Sequence, residues 1–221
     1  VRSTVRSFAE KEIKPVAQEL DATGNFPWPI LKKMGELNIM GMTAPREWGG
    51  AGVDSVSYVL AIEELAKACG STSVIMAVHN SVCCHPINVF GTPAQKEKYL
   101  RPLAQGAKLG AFALTEPGAG SDAGAVRTTA ILDGDNYILN GNKIFITSGC
   151  EADVILVTVS TEPSKGTKGL TVFIVEKGTP GFTYGSVEDK MGVRASATSE
   201  LVFENCPIPR ENMLGELNSG F

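Results

Sequence analysis

Phe112-Ala113-Leu114-Thr115-Glu116-Pro117-Gly118-Ala119-Gly120-Ser121-Asp122 is the stretch on which the reading of this chain turns. A short apolar run of extended character stops at a hydroxyl, and Pro117, Gly118 and Gly120 then deny continuation to either a ladder or a helix. The expectation is a strand that runs into a loop with outward-facing backbone amides. Such amides, beside glycines that permit close approach, suit a phosphate or the polar edge of a flat cofactor; a plain surface turn between two strands fits the same residues.

Upstream of this stretch the apolar spacing is helical. Val5, Phe8, Ile13, Val16 and Leu20 mark one face of an amphipathic helix over 2–20, kinked at Pro15, and Leu31, Met34 and Leu37 mark a second helix. The opening helix lacks a cap or a preceding loop, so a longer protein with an upstream start is the expectation. A Gly/Pro-rich loop over 44–52 is long enough to wrap over something. Asp54 is a good N-cap for a helix over 55–68, with Val56, Val59, Leu60, Glu63 and Glu64 making it two-faced. Residues 71–90 are apolar almost all round, which predicts a buried central helix ended or bent by Pro86. Thr92-Pro93 reads as an N-cap followed by a proline at the first helical position.

Downstream, the periodicity changes from about 3.6 to 2 at Gly106. Strands are predicted over 109–114, 126–132, 137–140, 143–147, 154–159, 170–175, 182–187 and 198–203. Asp133-Gly134-Asp135-Asn136, Asn140-Gly141 and Lys177-Gly178-Thr179-Pro180-Gly181 supply the turn signals between them. Cys206 to Arg210 is read as a strap leaving the sheet. The fold class is therefore α+β: an all-helical domain over 1–106, then a small antiparallel β-barrel or sandwich over 107–210, with 211–221 the entrance to a further element.

Composition narrows the function. With 221 residues, 43% of them hydrophobic, and a net charge of −4 from scattered charges, the chain is globular and carries no electrostatic footprint for nucleic acid or an anionic membrane. Small-molecule or protein partners are expected, and no run is long enough for a membrane helix. Five cysteines without C-x-x-C spacing fit a reducing, cytosolic setting. His79 and His85 flank Cys83 and Cys84 at a spacing that matches no zinc pattern, so packing is the reading and no metal is assigned.

The order of helices, Thr-Glu-Pro-Gly loop and β-domain resembles the acyl-CoA dehydrogenases over nearly the whole chain. The resemblance rests on Leu114 to Asp122, on Asn140-Gly141-Asn142-Lys143-Ile144-Phe145-Ile146-Thr147-Ser148-Gly149 and on Lys190-Met191-Gly192-Val193-Arg194-Ala195-Ser196. It implies FAD as cofactor, lined by Phe112, Ala113, Leu114, Thr115, Glu116, Pro117, Gly118, Ala119, Gly120 and Ser121 together with Phe145, Ile146 and Thr147. Thr115 would meet the pyrimidine edge of the isoalloxazine, Thr147 would bond near N5, and Phe145 would pack on the flavin face where many relatives carry Trp. The CoA side would involve Ser121, Ala197, Thr198, Ser199 and Glu200; uncharged Ala197 and Ser199 stand where medium-chain relatives carry charges.

His79-Asn80-Ser81-Val82-Cys83-Cys84-His85-Pro86-Ile87 and Phe145 look most like bacterial short-chain, butyryl-type members. The resemblance thus implies oxidation of short-chain acyl-CoA thioesters to trans-2-enoyl-CoA and electron transfer to electron-transferring flavoprotein. It also implies a homotetramer, in the cytoplasm of a bacterium or the mitochondrial matrix of a eukaryote. The proton-abstracting glutamate is expected in a C-terminal helical bundle beyond Phe221, so neither Glu63 and Glu64, on a helix expected to be solvated, nor Glu116 is named as the base, and the 221 residues alone are expected to be inactive. An acyl-CoA oxidase, a dehydrogenase-like flavin monooxygenase and a non-catalytic CoA-ester-binding protein share the same loops.

Overall fold

Proline spacing shapes the helical half of the chain. The computed structural model describes every residue from Val1 to Phe221. Helices α1 (Arg2–Phe8) and α2 (Ala17–Thr23) are joined by a π-helical turn over Ala9–Ile13 and a 3₁₀ turn over Lys14–Val16. Helices α3 (Trp28–Glu36), α4 (Ser55–Ala68) and α5 (Gly70–Val78) follow. A second π turn, His79–Cys84, leads into α6 (His85–Phe90); after the short α7 (Pro93–Gln95) a third, Lys96–Leu100, leads into α8 (Arg101–Ala104). Each π turn ends two residues before a proline: Pro15, Pro86 and Pro102. A proline inside a helix withholds an N–H and pushes its ring at the carbonyl four residues back. Widening the preceding turn relieves both problems. The helix over 71–90 therefore does not end at Pro86 but passes through it by way of the π turn.

The caps read from the sequence are made. Asp54 Oδ1 accepts from the Ser57 amide at 2.8 Å. Thr92 and Gln95 exchange bonds, with the Gln95 amide to Thr92 Oγ1 at 3.2 Å and the Thr92 amide to Gln95 Oε1 at 3.0 Å, which is a capping box. The loop over 44–52 closes on itself through Gly50 N to Pro45 O and Gly52 N to Ala44 O.

One compact unit comprises Val1–Val89, Lys96–Leu109 and Asp189–Ala197. Its core holds Ile13, Met34, Leu65, Ile75, Met76, Ile87 and Leu103. The fully buried Asn80 ties this core to the loop before α4, accepting from the Met42 amide at 2.9 Å and donating to the Ile39 and Met76 carbonyls.

The other unit comprises Phe90–Gln95, Gly110–Glu188 and Thr198–Phe221. Its strands are β1 (Gly110–Ala113), β2 (Thr129–Asp133), β3 (Asn136–Thr147), β4 (Val154–Ser160), β5 (Leu170–Glu176), β6 (Phe182–Val187), β7 (Thr198–Pro209) and β8 (Met213–Leu214). They form one sheet in the order β6-β7-β3-β2-β4-β5-β8, with β1 paired to β4. β4 is buried along its whole length, led by the apolar run Val154-Ile155-Leu156-Val157 and including Thr158 and Ser160.

Three expectations are corrected here. The sheet is mixed rather than antiparallel, because β4 pairs in parallel with both β1 and β2. Asn140-Gly141 is not a hairpin turn: β3 continues through it, with a register irregularity against β7 between Leu139 and Gly141, Asn140 Oδ1 accepts from the Asn205 amide, and Gly141 takes a φ of 143° where a Cβ would meet Thr128 Oγ1 at 2.6 Å. The segment from Cys206 does not leave the sheet, since Cys206, Pro207, Ile208 and Pro209 pair with Leu139, Ile138, Tyr137 and Asn136. Residues 211–221 also contribute to this unit, with Met213 and Leu214 paired to Phe173 and Val172.

Candidate functional site

The loop after β1 is built by three sets of bonds, all inside the β-unit. Pro117 and Gly118 form a tight turn closed by reciprocal bonds between Glu116 and Ala119, at 3.0 and 3.1 Å. The Thr115 carbonyl accepts from the Ile144 amide at 2.9 Å, which stitches the end of β1 to β3. Beneath both lies a buried ion pair. Lys143 Nζ sits 2.7 Å from Glu116 Oε1 and donates to the Leu114 carbonyl at 3.0 Å, with the Lys143 side chain fully buried. The Glu116 carboxylate also accepts from the amides of Arg127 and Thr128 at 2.6 and 2.9 Å.

Burial works to raise the Glu116 carboxyl, but the bonds from Lys143, Thr128 and these amides outweigh it and hold the group below the usual carboxylate range. Burial lowers the Lys143 ammonium, opposed by Glu116. Glu116 is therefore an anchor and not a proton acceptor for chemistry. The sequence contained one clue to this pair. Tyr137, Leu139, Gly141 and Lys143 alternate along β3, so a lysine falls on the inward row.

Above the anchor, β3 bulges. Lys143 pairs with Leu201 and Ile146 with Ser199, so β3 spends one residue more than β7 between them, and Phe145 takes a φ of 58°. A bulky residue in the left-handed region costs on the order of 1–3 kcal/mol, and such strain collects at functional positions. The ring it presents is 58% exposed. β6 bulges at the same level, between Tyr184 and Val187, so Glu200 of β7 lies between two irregularities. Its carboxylate accepts from Asn142 Nδ2 at 2.9 Å and packs where a Cβ on Gly185 would stand.

The remaining candidate residues separate by exposure. Phe112, Leu114, Thr115 and Thr147 are partly exposed; Pro117, Gly118, Gly120 and Ser121 are exposed; Ala113, Ala119, Ile146 and Ser199 are buried. Ala197 belongs to the helical unit, whereas Thr198, Ser199 and Glu200 belong to the β-unit. His79, singled out in the sequence, is fully buried, with Nε2 3.1 Å from the Leu103 carbonyl and 3.4 Å from Cys84 Sγ. Burial lowers its pKa to about 4 against the pull of backbone bonds at Leu103 and Met40, and pushes the Cys84 thiol well up. Both are packing groups. Glu64, expected to be solvated, is buried and gripped by Arg2, Arg6 and Lys67.

The β-unit's face fits a flat, multiply hydrogen-bonding cofactor on its own geometry. The Phe145 ring is held out of the sheet, Gly118 and Gly120 have open space where a side chain would begin, and the buried Ser148 Oγ has no hydrogen-bond partner. An apolar plate, approachable amides and an orphaned hydroxyl are the donor set that a flavin with carbonyl acceptors and one N–H requires.

Comparison with known proteins defines the class. Residues 1–107 match the acyl-CoA dehydrogenase N-terminal domain and residues 111–206 the acyl-CoA dehydrogenase middle domain. The chain belongs to the acyl-CoA dehydrogenase family, FAD-dependent oxidoreductases acting on CH–CH groups. Among its relatives is the short-chain-specific acyl-CoA dehydrogenase of Clostridium acetobutylicum, 53% identical over 221 residues, which are 100% of this chain and 58% of that protein. The mitochondrial short-chain-specific enzyme of Mus musculus is 50% identical over 100% of this chain and 54% of its own length.

Among solved structures, butyryl-CoA dehydrogenase from Megasphaera elsdenii superposes with a TM-score of 0.96 at 47% identity, covering 100% of this chain and 58% of that one. A chain from a study of the electron-transferring flavoprotein of Acidaminococcus fermentans and electron bifurcation gives 0.98 at 49% identity, with 100% and 58% covered. An acyl-CoA dehydrogenase from Bacillus anthracis complexed with FAD gives 0.92 at 39%, with 99% and 38% covered. The chain thus spans little more than half the length of the curated relatives it matches.

Proposed function

We propose that this chain provides the flavin-holding part of an enzyme that oxidises short-chain acyl-CoA thioesters to trans-2-enoyl-CoA and passes the electrons to electron-transferring flavoprotein. The observation that carries the reading is the strained Phe145 bulge stitched to the loop over 112–121 by the Ile144–Thr115 bond. FAD would supply the hydride acceptor when bound. Thr115, Thr147 and the amides of Gly118 and Gly120 would hold its polar edges, and Phe145 would cover one face. Exposed Ser121 would meet phosphate, and Thr198 and Glu200 would lie on the CoA side.

None of the three glutamates nearest to suspicion serves as the α-proton acceptor in this reading. Glu116 is held by Lys143, and Glu63 and Glu64 are held by Arg2 and Lys67. The base is assigned instead to the part of the relatives' length that this chain does not span. The short-chain assignment leans on relatives that carry that specificity in their names, and the flavoprotein partner on the neighbour from the Acidaminococcus study. A homotetramer in a bacterial cytoplasm or a mitochondrial matrix belongs to the same proposal.

The test is a chain-length series on the FAD-loaded protein at its natural full length, under anaerobic conditions. Butyryl-CoA is expected to bleach the flavin with the highest kcat/KM, falling towards octanoyl-CoA. An optimum at octanoyl-CoA or beyond overturns the short-chain reading, and no bleaching by any saturated acyl-CoA overturns the activity. Fast reoxidation of the reduced flavin by air would point to an oxidase.

A further inference from the structure

We infer that the buried Lys143–Glu116 pair is a positioning device for the flavin edge: it sets the height and rotation of Thr115 relative to the Phe145 bulge. The inference rests on the FAD reading above. Its ground is connectivity. Lys143 lies two residues before Phe145 on β3, and its ammonium bonds both residues that flank Thr115, the Leu114 carbonyl at 3.0 Å and the Glu116 carboxylate at 2.7 Å. Glu116 is in turn fixed by the amides of Arg127 and Thr128 and by its exchange of bonds with Ala119. Thr115 itself is fastened only through its carbonyl, to the Ile144 amide at 2.9 Å, which leaves its hydroxyl for a ligand.

A pair buried this deeply is a poor means of gaining stability, because well-packed neutral groups of the same shape do as well or better. It is a good means of holding geometry. The ammonium has three donors and no acceptor, so every movement of the 114–116 backbone relative to β3 breaks a bond that water does not replace. Placing the flavin contacts on two segments joined through one buried charge keeps their spacing constant while the glycines of the loop remain open.

The experiment uses the full-length protein and three variants: Lys143→Met, the neutral double variant Lys143→Met/Glu116→Gln, and Glu116→Asp, which keeps the charge and shortens the arm by one methylene. FAD affinity is read by fluorescence titration of the apoprotein, the flavin midpoint potential by spectroelectrochemistry, and folding by thermal melting. The double variant is expected to melt close to wild type yet bind FAD at least 10-fold more weakly, which corresponds to about 1.4 kcal/mol. Glu116→Asp is expected to shift the flavin potential with the fold intact. A stable double variant, or a stable Glu116→Asp, whose FAD affinity and potential both match wild type overturns the inference and leaves the FAD reading standing. A wild-type protein that binds no FAD overturns both. If the double variant does not fold, Glu116→Asp decides alone.

Discussion

Two buried glutamates in this chain are ion-paired in opposite ways. Glu64 on α4 is 3% exposed, and its cations reach it from the surface: the Arg2, Arg6 and Lys67 side chains are 45, 50 and 53% exposed. Glu116 is 6% exposed, and its one cation, Lys143, is not exposed at all. In the first cluster the charges that solvate the carboxylate are themselves solvated, and the loss of one leaves others. In the second, each partner is the other's only counter-charge. The first is built to hold α1 on α4, the second to hold a loop against a strand.

Removing a partner should break this contrast open. Lys143→Met, which strands the Glu116 carboxylate, is expected to cost about 3–5 kcal/mol, measured by urea unfolding. A loss of under about 1 kcal/mol would mean that the pair is wetter than its burial states.

Acid separates the two regions next. His79 has a folded pKa of about 4 against an ordinary 6.5, so its contribution is complete above 6.5 and is lost as pH falls from there towards 4. The loss amounts to roughly 3 kcal/mol. Glu116 and Glu64 are both held below the ordinary 4.5, so their contributions are complete down to about that pH, where most of the His79 contribution is already lost, and fall away only below it. Urea melts stepped from about pH 7 to pH 3, with hydrogen exchange read segment by segment, should show the helical unit weakening first. The reverse order would contradict the assignment of a neutral His79.

Glycines sharpen the contrast further. Gly141→Ala drives a Cβ to 2.8 Å from the Thr128 backbone beside the anchor, and is expected to cost about 1–3 kcal/mol in a thermal melt. Gly118→Ala enters open space, is expected to change stability by about 0.5 kcal/mol or less, and should weaken FAD. The smallest effect is expected at the first glutamate. Arg6→Ala should lower the melting temperature only slightly, and the difference from wild type should shrink in high salt, because Arg2 and Lys67 remain.

Much of the architecture was legible because it is written in short-range patterns. The change of apolar period near Gly106, the Asp54 cap and the Thr92-Pro93 start are local signals, and each has its counterpart in a helix, strand or cap. The proposal that the loop over 112–122 and the Phe145 segment face the cofactor rests on their residue types and their likeness to a family, and the Ile144–Thr115 bond joins the two. What escaped depends on pairing across the chain. Asn140-Gly141 has the composition of a hairpin turn, but β7 runs on beside both of its halves, and that long-range ladder overrides the local preference. Lys143 and Glu116 lie 27 residues apart, and nothing short of the strand register brings them together. Glu64 looked solvated because the arginines that bury it stand some sixty positions earlier.

The central claim is that the cofactor lies on the loop over 112–121 and the bulge at Phe145. Hydrogen exchange on the full-length protein with and without FAD tests it most directly. The account predicts that FAD slows exchange at Gly118, Gly120 and Ser121 and across 144–148. Protection elsewhere, with these two segments unchanged, would contradict it.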